Sequence, residues 1–317
     1  MSDVVFLFPG QGSQSVGMGK SLWDAHASVK ELFAEASDAT GIDVARLCFE
    51  GPDTVLVQTE NVQPAITLVN LAVLQVLREA GVEPVAAAGH SLGEYAALCA
   101  AGVLSVAQAM QLVAYRGEVM KEAASHATGG GMTAVFGLEA EKLGAICAEA
   151  SEAGSVEIAN HNSPKQIVLT GELGGLQRAA ELAKKSGAKL VVPLKVSGPW
   201  HSRFMAPAAD SMRERLASCS LGSPTIPVIA NATAQPYPDD GERIRDGLTS
   251  QLVRPVLWQQ SMRHLLDAGH RDFVEVGPGK VLAGLMRDID RDARVTSVQD
   301  MDALARFLGS RTTPIPN

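Results

Sequence analysis

The segment Val85-Ala86-Ala87-Ala88-Gly89-His90-Ser91-Leu92-Gly93-Glu94-Tyr95 runs from a short apolar stretch through Gly-x-Ser-x-Gly into an alanine-rich one. A buried strand that turns sharply into a helix has this pattern, and the turn leaves a serine oxygen exposed at its apex. Glycines two positions to either side let neighbouring backbone approach where a Cβ would clash. The first N–H groups of the following helix lack intrahelical acceptors and can receive a developing negative charge. The segment therefore reads as a nucleophile elbow with Ser91 at its tip.

Outward from the elbow, the first third of the chain alternates strand and helix: strand Val4–Phe8, helices over Ser21–Thr40 and Pro64–Ala80, strand Val85–Ala88, then helices over Leu92–Ala101 and Ser105–Ala124. That alternation predicts a parallel sheet covered by helices. Pro227–Ala230 and Phe273–Val276 read as later strands of the same sheet. Between them, after the glycine run Thr128–Gly131, the order changes. Strand Thr133–Gly137, helix Glu139–Ser151, strands Val156–Asn160 and Gln166–Thr170, helix Leu173–Ser186 and strand Lys189–Val196 make a β-α-β-β-α-β unit of the ferredoxin-like kind. The expected organisation is a large α/β domain, 1–127 and 197–317, with a small domain, 128–196, inserted in it and a binding cleft between the two. The tail Ser310–Asn317 reads as disordered.

Composition bounds the function. The chain has 317 residues, 46% hydrophobic and 20% charged, which fits a globular protein. With 27 basic and 35 acidic residues the formal charge is -8, which speaks against nucleic acid as the main partner. Cys48, Cys99, Cys147 and Cys219 are far apart and form no metal-binding spacing, so they read as reduced thiols of a cytoplasmic protein. The run Val4–Phe8 is too short for a signal peptide, and Val85–Leu104 carries His90, Glu94 and glycines that a membrane span would not tolerate.

A serine hydroxyl needs a base, and histidine is the usual one near neutral pH. His201, in Ser197-Gly198-Pro199-Trp200-His201-Ser202, stands where the chain leaves the small domain's last strand, which opens it to the expected cleft. A surface-loop histidine is the competing reading. His90 adjoins the serine but points away across a tight turn. The loop Pro9-Gly10-Gln11-Gly12-Ser13-Gln14 follows the first strand; its glycines do not complete G-x-G-x-x-G, which rules against a dinucleotide site. Its place at the carboxyl end of a strand suits a second oxyanion donor, the Gln11 backbone N–H. Arg116 lies in the strongly apolar Leu112–Met120 stretch. An exposed arginine is the ordinary reading; if buried, the charge needs a partner, which Glu118, Glu122 or a substrate carboxylate would supply.

Taken together, Phe8-Pro9-Gly10-Gln11-Gly12-Ser13-Gln14, Gly89–Glu94, Arg116, Pro199–Ser202 and Val276-Gly277-Pro278-Gly279 resemble the malonyl-CoA:acyl carrier protein transacylase family, in order from about Val4 to about Leu285. The resemblance implies an α/β-hydrolase-like large domain with a parallel sheet and a ferredoxin-like insert. It implies Ser91 as the acylated nucleophile, His201 as its base, Gln11 and Leu92 as oxyanion donors, and Arg116 as the clamp on the malonyl carboxylate. It also places Asn162 and Gln251 near the histidine and Gln63 near the pocket. The activity implied is transfer of malonyl from malonyl-CoA to the phosphopantetheine thiol of acyl carrier protein, with no metal or cofactor. A trans-acting polyketide-synthase malonyl acyltransferase, a serine esterase or thioesterase, and a silent docking domain are the alternatives. Trp200, where many relatives carry a smaller residue or phenylalanine, predicts preference for malonyl over methylmalonyl. The segment 127–196 has seven basic and seven acidic residues, so the net negative charge lies on the large domain. Lys184, Lys185 and Lys189 are the expected docking residues for an acidic carrier protein.

Overall fold

In the computed structural model residues 3–126 and 129–312 are described. Five strands form a parallel sheet: β1 Val4–Phe8, β2 Pro84–Gly89, β7 Val228–Ile229, β8 Asp272–Val276 and β9 Arg294–Val298, in the order β7-β2-β1-β8-β9. Every residue of β1 is buried, as expected of a parallel strand covered on both faces. Its last residue, Phe8, pairs with Gly89 at the end of β2, so the loops after these two strands emerge side by side. Helix Gly93–Ala100 follows β2 and is buried along its whole length.

Four further strands form a separate antiparallel sheet: β3 Gly130–Phe136, β4 Val156–Ser163, β5 Gln166–Glu172 and β6 Leu190–Pro193, in the order β4-β5-β3-β6. Helices Ala140–Ala150 and Leu173–Lys185 complete the expected β-α-β-β-α-β order. Val135, Leu143, Ile146, Leu169, Leu176 and Ala179 form the core between sheet and helices. The fold class is α/β, as read from the sequence.

The chain divides into two compact units. One comprises the chain up to Ala114, Ser220–Ile229 and the chain from Leu265; the other comprises Tyr115–Cys219 and Ala230–His264. The parallel sheet belongs to the first and the antiparallel sheet to the second. The division falls inside helix Val106–His126, and the second unit extends beyond residues 128–196 to include helices Ala206–Ala217 and Gly241–Gln251.

Several elements differ from the sequence reading. The helix expected over Ser21–Thr40 is two, Lys20–Ala25 and Ala27–Thr40, because His26 adopts extended backbone between them. The helix expected to begin at Pro64 begins at Thr59 and carries the proline inside it, one turn past its start, where the ring forgoes one i→i−4 bond to Glu60. Strand β9 is an edge strand of alternating exposure, without the apolar run that marks its buried neighbours. In the tail, Ser310–Thr312 close helix Met301–Thr312, and the rest lies outside the described residues, as do two residues at the glycine-run junction. No described helix is long and apolar enough to cross a membrane.

Candidate active site

In the first unit, Ser91 sits in the left-handed region at φ 51, where a non-glycine residue is strained, and it is half-buried. Backbone bonds hold the turn around it: His90 N–H donates to Phe8 O (2.9 Å), Gly93 N–H to His90 O (3.0 Å) and Glu94 N–H to Ser91 O (3.1 Å). The glycines are sterically obligatory. A Cβ on Gly89 would overlap the Gly93 carbonyl, one on Gly93 would overlap Phe8 O, and one on Gly10 would overlap His90 O. The elbow and the loop after β1 are therefore in backbone contact. Leu92 caps helix Gly93–Ala100, which puts its N–H among the groups that a helix start leaves without an intrahelical acceptor.

The loop after β1 is fixed from several directions. Gly10 O accepts from Ser13 Oγ (2.8 Å) and Ser13 N–H (3.3 Å), and Gly12 N–H donates to Gln14 Oε1 (2.8 Å). Thr59 Oγ donates to Gln11 Oε1 (3.4 Å) and accepts from Gln63 Nε2 (3.0 Å). Asn70 Nδ2 donates to Pro9 O (3.0 Å). Gln63 thus reaches the loop through Thr59. Neither Thr59 nor Asn70 was anticipated from sequence. The signal that finds them is a helical spacing of polar residues inside an otherwise apolar helix.

In the second unit, His201 also takes a left-handed backbone, φ 57, and is 5% exposed. Its Nδ1 lies 2.8 Å from the backbone O of Gln251. A carbonyl oxygen only accepts, so Nδ1 carries the hydrogen and Nε2 of the neutral ring is the basic nitrogen. Gln251 is the last residue of helix Gly241–Gln251, where carbonyls lack intrahelical donors and carry the negative end of the helix dipole. The imidazole is thus oriented by a helix terminus and not by an acidic side chain.

The same residue reaches the arginine. Arg116 is fully buried, and its Nη2 donates to Gln251 Oε1 at 3.0 Å. Glu118 and Glu122, which the sequence offered as partners, are exposed. Gln251 therefore joins His201 and Arg116 through its main chain and side chain. Asn162, on β4, donates to Gln166 Oε1 (2.7 Å) near the turn into β5. The Trp200 ring is buried and lies over Gly198, where an added Cβ would be 2.7 Å from it. Ser202 Oγ donates to Pro199 O (2.5 Å) and caps the turn that follows His201. The structure thus gathers Ser91, Leu92, Gln11 and Gln63 in one unit and His201, Arg116 and Gln251 in the other.

Comparison with known proteins is consistent across methods of likeness. Residues 5–306 match the acyl transferase domain family. The malonyl CoA-acyl carrier protein transacylase of Bacillus subtilis (strain 168) is 43% identical over 305 residues, covering 96% of each chain. Among solved structures, the acyl-carrier-protein S-malonyltransferase from Burkholderia pseudomallei 1710b superposes with a TM-score of 0.93 at 41% identity, covering 97% of this chain and all of that one. A malonyl transacylase in complex with a type II polyketide-synthase acyl carrier protein superposes with a TM-score of 0.94 at 38% identity, over 98% of this chain and all of that one.

Proposed function

This chain belongs to the acyl transferase family, among the malonyl-CoA:acyl carrier protein transacylases, and on that premise we propose how its residues divide the reaction. It is an [acyl-carrier-protein] S-malonyltransferase: malonyl passes from CoA to the enzyme's serine and from there to the phosphopantetheine thiol of acyl carrier protein. In the first half-reaction His201 Nε2 takes the Ser91 proton as Oγ attacks the thioester carbonyl. The oxyanion accepts from the Gln11 and Leu92 N–H groups. On collapse the C–S bond breaks, and the CoA sulfur leaves with the proton from His201. The second half runs in reverse order: the pantetheine thiol gives its proton to His201 and attacks the acyl-serine, and Ser91 regains its hydrogen.

Arg116 binds the free malonyl carboxylate through the planar fork of its guanidinium, whose plane the bond to Gln251 sets. Gln63 supports the Gln11 loop through Thr59, and Trp200 disfavours a 2-methyl substituent. One methyl carries only ~1–3 kcal/mol of discrimination. Malonyl-CoA enters as substrate, and the chemistry described uses no metal or cofactor. The widely spaced thiols support a cytoplasmic location.

The observation that carries this reading is Gln251, whose carbonyl sets the His201 tautomer while its amide holds the buried Arg116. The test is intact-protein mass spectrometry after incubation with malonyl-CoA: a malonyl adduct on the wild-type chain, absent from Ser91→Ala. Rapid loss of that adduct to water, with none passed to carrier protein, would instead describe an esterase. The solved relative bound to a polyketide carrier protein supports a second reading, in which the acceptor belongs to polyketide rather than fatty-acid biosynthesis. Competition between the two carrier proteins decides it.

A further inference from the structure

Helix Thr59–Glu79 is buried for most of its length, and its buried polar side chains are Thr59, Gln63, Thr67 and Asn70. Spacings of four, four and three put them on one face. Burying polar side chains costs free energy unless they are hydrogen-bonded, so a polar stripe inside an apolar helix calls for a reason. Two of its members reach the loop after β1: Thr59 bonds the Gln11 side chain, and Asn70 bonds the Pro9 carbonyl at 3.0 Å. Asn70 is itself held from the far side. Gly277, at φ 139, stands where a Cβ would overlap Asn70 Oδ1 and lie 2.9 Å from the Pro9 ring, and its N–H is bonded to Val298 O of β9 (3.2 Å).

Resting on the acyl-transfer reading above, we propose that Asn70, wedged by Gly277, is a positioning residue that aims the Gln11 N–H at the oxyanion. The argument is one of consecutive peptide planes. The Gly10 C=O and Gln11 N–H share a rigid plane and point opposite ways. Ser13 holds the Gly10 carbonyl on one side, so the N–H faces the other. Asn70 holds the preceding plane, Pro9–Gly10, and Gly10 has no freedom to compensate because any outward shift is limited by its contact with His90 O. Without Asn70 the Pro9 carbonyl loses its donor, and both planes can rotate.

The experiment measures the burst of malonyl-Ser91 formation. Burst amplitude counts competent enzyme, and burst rate reports oxyanion stabilisation. For Asn70→Ala the amplitude stays near one per chain while the rate falls about 10–100-fold, the scale expected when a reacting group is misplaced by about 1 Å. Asn70→Asp, which keeps the volume but removes the donor to Pro9, shows the same loss and serves if the alanine variant does not fold. Gly277→Ala slows the burst in the wild-type background, and it slows it less in Asn70→Ala, because the clash with Asn70 Oδ1 is then gone and only the tighter approach to the Pro9 ring remains. A wild-type burst rate in Asn70→Ala and Asn70→Asp, or effects of Asn70→Ala and Gly277→Ala that simply multiply, would overturn the proposal. Failure of the underlying reading is distinct: the wild-type chain would then form no malonyl adduct at all.

Discussion

Arg116 is the residue where specificity can be tested most directly. Its two prospective bonds to a carboxylate are charge-assisted, each contributing about 1.5–3 kcal/mol. Arg116→Ala is therefore expected to lower kcat/KM for malonyl-CoA by at least ~10²-fold, at 1.36 kcal/mol per tenfold, while acetyl-CoA, which lacks the carboxylate, loses far less. Steady-state kinetics with the two thioesters check this; equal losses would mean that the guanidinium does not read the acyl group. The cysteines give a second residue-level outcome. Burial pushes the Cys48, Cys99 and Cys147 thiols up to about 12, whereas Cys219 is half-buried and is the one of the four not enclosed. Since the thiolate is the nucleophile, iodoacetamide at pH 8 is expected to label the folded chain at Cys219 alone, as read by peptide mass spectrometry.

Among the elements, β8 carries two carboxyls whose surroundings act in opposite directions. Arg294 on β9 grips Asp272 through two bonds of 2.6 Å and holds its carboxyl below the usual carboxylate range. A depressed value means stability that is present above the unfolded value and lost as pH falls through the folded one. Glu275 is fully enclosed, and burial raises it despite bonds from Leu282 N–H (2.8 Å), Ala283 N–H (3.2 Å) and Ser297 Oγ (2.7 Å). A raised carboxyl keeps its proton longer in the folded chain, so its contribution falls as pH rises through that window. Denaturant titrations should show Asp272→Asn with a flatter loss of stability toward acid pH, and Glu275→Gln with a flatter loss as pH climbs above the ordinary carboxylate range. Parallel pH profiles for wild type and both variants would contradict this. The elbow gives the remaining element-scale expectation: Gly93→Ala should abolish acylation of Ser91, since the added methyl would overlap Phe8 O.

These elements also show what sequence could convey. The elbow was legible because its glycines are dictated by local backbone approach, and the β-α-β-β-α-β order because strand and helix periods alternate cleanly from β3 to β6. Strand β9 was not, since an edge strand of alternating exposure offers no apolar run. The break at His26 and the early start at Thr59 carried no sequence marker: neither helix start has a side-chain cap, and Pro64 read as a first helical position. Thr59 and Asn70 carry their signal in the helical spacing of polar residues within an apolar helix, but that spacing does not say which loop they hold until the fold is in place.

For the molecule as a whole, charge placement yields a prediction about how the second substrate docks. The formal charge is -8, yet residues 127–196 are balanced, and Lys184, Lys185 and Lys189 are exposed at and just beyond the end of helix Leu173–Lys185. Reversing these three charges is expected to raise KM for an acidic carrier protein several-fold, most at low ionic strength, without changing the burst from malonyl-CoA. An unchanged carrier-protein KM would move the docking surface elsewhere. Gln251 has a different consequence at this scale. Because its amide steadies the guanidinium and its carbonyl steadies the imidazole, the proposed sources of selectivity and reactivity share an anchor and are not separate dials. An engineer who swaps the arginine to admit bulkier or uncharged building blocks removes its bond to that amide, and the glutamine's backbone is expected to pass the disturbance to the imidazole; retuning such a catalyst then means redesigning the pair and its glutamine as one module.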